Sequence, residues 1–220
     1  ETAGDLVNAV SGAASARGGT QLSARVLTGD TVGEELRRAG LFLSHAETLY
    51  QSRGLSVPAN LPSGVRPKTA ADEHGLFRLY SAATPSEVRA LGGMTLDQWT
   101  ASRTRVGRST RISEYVLEAQ SLLVGWLRVV VGRLGKADVA VMLNPEHTVD
   151  DASALLHLGL AEVPEGRAAN VLVPEYQTAV RRAAESDGLT TGAELQVHVR
   201  TARATEKILQ EVGAYNVVSP

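Results

Sequence analysis

The chain has 220 residues, is 43% hydrophobic and 21% charged, carries a net charge of −2 and contains no cysteine. That length suffices for a globular domain with its own core, and the missing cysteines exclude a disulfide-stapled module, a thiolate metal site and a cysteine nucleophile. The charge balance excludes a bulk polycation, although of the 22 cations only Lys68, Lys136 and Lys207 are lysines; the arginines suit forked recognition of phosphate or carboxylate, and a GC-rich coding sequence produces the same bias.

In chain order, no secretory leader is read at the front. Leu6, Val10 and Ala13 predict a weak first helix stopped at Gly18-Gly19. Gln21 to Leu27 alternates partly, as a strand does. Thr31-Val32-Gly33-Glu34 has the form of a capping box. Behind it Leu36, Ala39, Leu43, Ala46 and Tyr50 fall on one helical face, which predicts a helix over Val32 to Arg53. Residues 52–68 hold Pro58, Pro62 and Pro67 and read as an internal linker. Asp72-Glu73-His74 reads as the polar start of a helix through Leu76, Leu79 and Tyr80; placed in a cleft, the same acids and imidazole could exchange protons.

Thr84-Pro85-Ser86-Glu87 and Thr95-Leu96-Asp97-Gln98 mark two further helix starts. Arg103, Arg105, Arg108 and Arg111 follow, with hydroxyls between them and no acid from Asp97 to Glu114. Ile112, Tyr115, Val116, Ala119, Leu122, Leu123, Trp126, Leu127 and Val130 form the strongest apolar stripe. The stripe predicts a central helix from Arg111 to Arg133. Gly125 and Arg128 interrupt its most apolar part, which is too short to span a bilayer, so no membrane contact is expected.

Val139 to Leu143 and Asn170 to Val173 predict short strands. Thr148 opens a helix with Asp150 and Asp151 in its first turn, and 159–174 reads as a second break. Thr191-Gly192-Ala193-Glu194 predicts the start of a last helix through Leu195, Val199, Ala202, Leu209 and Val212. The expected fold is therefore mainly α: a single domain, 1–220, of helical blocks packed as a bundle, with at most a few short strands.

Motifs for nucleophiles, phosphate loops and dinucleotides are missing, so no cofactor and no metal are expected. Arg103, Arg105, Arg108 and Arg111 are the candidate site: guanidiniums and hydroxyls ahead of a helix suit nucleic acid, another anion or an acidic neighbour. The cysteine-free composition, the short caps, the Gly-, Ala-, Ser- and Thr-rich connections and this arginine run resemble those of virion and phage structural proteins. That resemblance implies a self-associating, capsid-like homo-oligomer whose arginines contact nucleic acid or an acidic neighbouring subunit. Two alternatives stand beside it. One is a nucleic-acid-binding regulator that uses the helix pair in 85–111. The other is an enzyme with a dispersed site near His147, Asp150 and Asp151.

Overall fold

The computed structural model describes residues 3–16, 19, 21–53, 63–104, 110–132 and 136–201. In chain order these form α1 (Ala3–Ser15), β1 (Gln21–Leu27), α2 (Val32–Arg38), β2 (Phe42–Arg53), β3 (Val65–Pro67), α3 (Glu73–Ala83), α4 (Ser86–Gly92), α5 (Leu96–Thr104), β4 (Arg111–Ala119), β5 (Leu122–Val131), β6 (Ala137–Leu143), α6 (Val149–Ala161), β7 (Ala168–Pro174), α7 (Thr178–Ser186) and β8 (Thr190–Thr201). The strands make one mixed sheet in the order β1-β8-β2-β7-β6-β5-β4-β3. The mainly α expectation is thus corrected: the protein is mixed α/β, built on an eight-stranded sheet.

The largest correction falls on Arg111 to Arg133. The apolar stripe there is not a helix but the antiparallel hairpin β4–β5, paired from Arg111↔Val131 to Ala119↔Leu122 with a bulge that shifts the register between Leu117 and Glu118. Its turn is Gln120-Ser121, both with positive φ (50° and 64°). Two successive residues in that region match the twist of a two-residue hairpin, which glycine and asparagine normally supply. The continuous apolar run of β5 reflects burial on both faces. Leu127, Val129 and Val131 join the core shared with α6 and α7, whereas Trp126 joins a second core with Leu76, Leu79 and Trp99.

Two other expected helices also give way to strands. The helix begun at Val32 ends at Arg38, because Gly40 takes a left-handed φ of 83°. The chain then runs extended as β2. The Thr191 motif caps nothing; it lies in β8, and residues 202–220 lie outside the described residues. Several local expectations hold. β1, β6 and β7 cover the three predicted strands, and α3, α4, α5 and α6 start where their sequence signals stand.

The described residues divide between two compact units, one drawn from 3–45, 90–92 and 196–201, the other from 46–89 and 93–195. In the first, Val7, Leu36 and Leu41 are buried with Leu22, Ala24 and Val26 packed around them. Arg200 ties this unit together by donating to the Asn8 side chain (3.1 Å) and the Ala39 carbonyl (3.2 Å).

In the second unit, α6 crosses between the parallel strands β6 and β7, the βαβ arrangement. Leu155, Leu156 and Leu160 of α6 are buried against Leu127, Val139 and Val171 of the sheet. The approach is close: a Cβ on Gly159 would stand 2.7 Å from a Leu127 methyl and 2.8 Å from one of Val139. On the opposite face α3 and α5 pack an aromatic group, with Trp99 centred 5.9 Å from Tyr80, 6.3 Å from Phe77 and 6.3 Å from Trp126.

Candidate functional site

Parallel strands in an α/β sheet present ligand positions at their C-terminal ends, above all where neighbouring strands part. β6 and β7 pair only from Ala137↔Ala169 to Val139↔Val171. β6 nevertheless continues to Leu143 against β5, and β7 to Pro174 against β2. The sheet therefore opens between Leu143 and the end of β7. The N–H and C=O of Leu143 face a strand that is no longer there.

Gln177 fills the opening. The chain turns back after β7, with Gln177 N donating to the Pro174 carbonyl at 2.9 Å, and the side chain points into the sheet. Its Oε1 accepts from Leu143 N at 3.1 Å. Its Nε2 donates to the carbonyls of Leu143 (3.2 Å) and Ala83 (3.3 Å). One side-chain amide thus gives Leu143 the donor and the acceptor that a neighbouring peptide would give. The residue is 5% exposed, so these bonds cannot be exchanged for water without opening the core. Beside it the Tyr176 hydroxyl is pushed up to about 12 by burial, despite a hydrogen bond with buried Thr84.

The connection from β6 to α6 is Asn144-Pro145-Glu146-His147-Thr148. A helix N-terminus at this place offers N–H groups to an anion, and here the helix's own cap takes one of them, that of Asp151. Thr148 Oγ1 accepts from Asp151 N at 3.2 Å, and Asp151 Oδ2 accepts from Thr148 N at 3.2 Å and Thr148 Oγ1 at 2.9 Å. Asn144 Oδ1 accepts from Glu146 N at 3.1 Å. Burial works against the charge of Asp151, yet the bonds from Thr148 and His147 outweigh it and hold the carboxyl below its ordinary range. With Asp150 also in the first turn, the helix end carries two carboxylates and no cation.

The residues singled out in the sequence scatter. Arg105 and Arg108 lie outside the described residues; Arg103 lies in α5, and its side chain is outside them too. Arg111 opens β4 and pairs with Glu162 at 3.4 Å. Ser113 and Tyr115 donate to the same carboxylate at 3.1 and 2.7 Å, so that arginine ties β4 to the end of α6. The helix pair expected in 85–111 exists as α4 and α5, but Trp99 at its centre is core. His147 Nδ1 lies 3.3 Å from Asp151 Oδ2, so the His147/Asp150/Asp151 trio is a helix start. Among the described residues no group of three His, Asp or Glu could hold a metal, and no helix is long and apolar enough to cross a membrane.

Sequence reasoning missed Gln177 altogether. A lone glutamine after Pro174 carries no motif, and only the parting of two strands far apart in sequence gives it a role.

No family model matches the sequence, and no curated protein matches it. Solved structures do match. A GCN5-related N-acetyltransferase from Sphaerobacter thermophilus is 18% identical over 84% of this chain and 61% of that one, with a TM-score of 0.50. A GCN5-related N-acetyltransferase from Anabaena variabilis is 10% identical over 91% and 50%, with a TM-score of 0.52. A tandem GNAT protein of the clavulanic acid pathway, solved without AcCoA, is 19% identical over 91% and 70%, with a TM-score of 0.50. The chain spans 61% and 50% of the lengths of the first two. This likeness overturns the capsid-like assembly reading, which rested on composition alone. At these identities the matches establish one thing, the architecture: a mixed α/β sheet of the GCN5-related N-acetyltransferase kind.

Proposed function

We propose that this chain is an N-acetyltransferase-like domain whose donor position is closed by its own Gln177, so that it binds a ligand without transferring an acetyl group itself. The fold brings acetyl-CoA into question. Acetyl-CoA carries its thioester on an extended, amide-bearing arm that a diphosphate joins to a phosphorylated adenosine. The arm needs unpaired backbone groups at a strand edge; the Gln177 amide already satisfies Leu143. The diphosphate needs free N–H groups or cations at a helix end. The start of α6 sets the carboxylates of Asp150 and Asp151 there instead, and Thr148 already takes the Asp151 N–H. The group does not fit, and no transfer step is derived through it. The closure by Gln177 is the observation that carries this reading.

Isothermal titration of the purified chain with acetyl-CoA tests it. The expected result is no saturable binding at millimolar concentration, which corresponds to less than about 4 kcal/mol. Micromolar binding would overturn the proposal. One observation favours a second reading, acyl transfer gated by Gln177: its amide offers Leu143 one donor and one acceptor, the pair that an amide of the donor's arm also offers. In that case Gln177→Ala binds acetyl-CoA where the unaltered chain does not.

A further inference from the structure

We infer that a second opening in the same unit, the cleft between α3 and the β4–β5 turn, binds a small carboxylate with an apolar body. The cleft has a volume of about 630 Å³, within the range of pockets that enclose small molecules. It does not include Gln177, so the inference stands apart from the closed donor position.

The charge of the lining selects the ligand. His74 and Arg78 lie one turn apart on α3, on the same face, and both line the cleft. No acid lines it. Elsewhere Arg37, Arg66, Arg111 and Arg181 have a carboxylate within 4.0 Å. Arg78 is exposed and has no carboxylate within 4.0 Å among the described residues, so its guanidinium fork is open to the two oxygens of a carboxylate. Ser121 and Asn144 supply neutral hydrogen-bonding groups around it.

Apart from Ser81, whose hydroxyl donates to the Phe77 carbonyl at 3.0 Å, the rest of the lining is apolar and held in place. Phe77 is fixed by ring contacts with Tyr80 (6.0 Å) and Trp99 (6.3 Å). Leu122 at the turn is 49% exposed and would be covered by the apolar body of a ligand. α3 sits tightly on the sheet: a Cβ on Gly75 would lie 3.0 Å from a Leu123 methyl. The cleft is therefore built between two rigid elements, with its charged group on one wall and an apolar lip on the other.

The test uses the whole chain and three carboxylates as probes: phenylacetate, indole-3-acetate and hexanoate. Their neutral amides serve as controls. Amide-resolved NMR titration should give saturable shifts for at least one acid, confined to α3, the Gln120-Ser121 turn and Asn144. The matching amide should bind at least about tenfold more weakly, the loss expected for one charge-assisted hydrogen bond. Arg78→Gln changes an exposed residue and should leave the spectrum folded while weakening the acid by about tenfold or more; Arg78→Lys should recover part of it. Equal binding of acid and amide, shifts outside the cleft, unchanged affinity in Arg78→Gln, or no saturable shift with any of the three acids would each overturn the inference.

Discussion

Asp72 shows how a single carboxylate can hold several elements. Arg66 donates to both of its oxygens at 2.8 Å, while Thr69 donates its backbone N–H at 2.7 Å and its hydroxyl at 2.9 Å. Arg66 reaches Glu118 as well, at 3.0 Å, so β3, β4 and the start of α3 meet at one guanidinium. The arginine, followed by the threonine bonds, holds the Asp72 carboxyl well below the usual carboxylate range, despite burial. A carboxyl whose folded pKa is depressed contributes stability that is complete above its unfolded pKa of about 4 and is lost as pH falls towards the folded one. Denaturant unfolding of the unaltered chain and of Asp72→Asn should therefore differ most at neutral pH, and the difference should shrink below about pH 4. A gap that stays constant down to strong acid would contradict the assignment.

Tyr176 gives the opposite sign. Burial pushes its hydroxyl up to about 12 from the usual 10.0. The folded chain then resists ionisation while the unfolded chain does not, so stability falls between about pH 10 and 12. Burial also raises Tyr50 and Tyr80, and a neighbouring carboxylate with burial raises Tyr115. Phenolate absorbance followed against pH should therefore show several late tyrosines, and the amplitude near pH 12 should fall by one tyrosine in Tyr176→Phe. An unchanged amplitude near pH 12 in the variant would contradict the assignment.

At the scale of elements, the β4–β5 hairpin decides the molecule. It divides the sheet into two buried faces, with Trp126 on one and Leu127 on the other. Its turn is chemically awkward, since Gln120 and Ser121 both adopt positive φ without being glycine. Replacing the pair through Gln120→Asn and Ser121→Gly should raise stability by about 0.5–1 kcal/mol, because these residues take that conformation with less strain. A loss of stability in a denaturant melt would show that the side chains are needed for contacts at the turn.

For the whole molecule the parting of β6 and β7 matters most. Every βαβ unit ends in paired strands or in a gap, and a gap must satisfy its backbone with something. Here Gln177 does so, and it links Leu143 to Ala83 at the end of α3. Gln177→Ala leaves the Leu143 N–H and two carbonyls buried without partners, at a cost of about 2–4 kcal/mol. Thermal or denaturant unfolding measures this loss, and a neutral effect would mean that water or another group enters the opening unaided. Read together with the acetyl-CoA titration, the variant separates a closed structural plug from a gate.

The sequence alone determined what depends on neighbours along the chain. Thr148 with Asp151 and Thr95 with Gln98 form the bonds their spacing implies, because a cap closes within one helical turn. β1, β6 and β7 were legible from alternation and β-branched runs, since period two is a local property. Only tertiary structure decided the rest. Residues 111–133 carry apolar spacing that serves a helix or a strand buried on both faces, and helices on either side of the sheet select the strand. The notch at Leu143, the plug at Gln177 and the carboxylate cleft at His74 and Arg78 join positions between 34 and 94 residues apart in the case of Gln177. No local spacing encodes them, because they arise where strands part and a helix packs across the opening, and those distances exist only after folding.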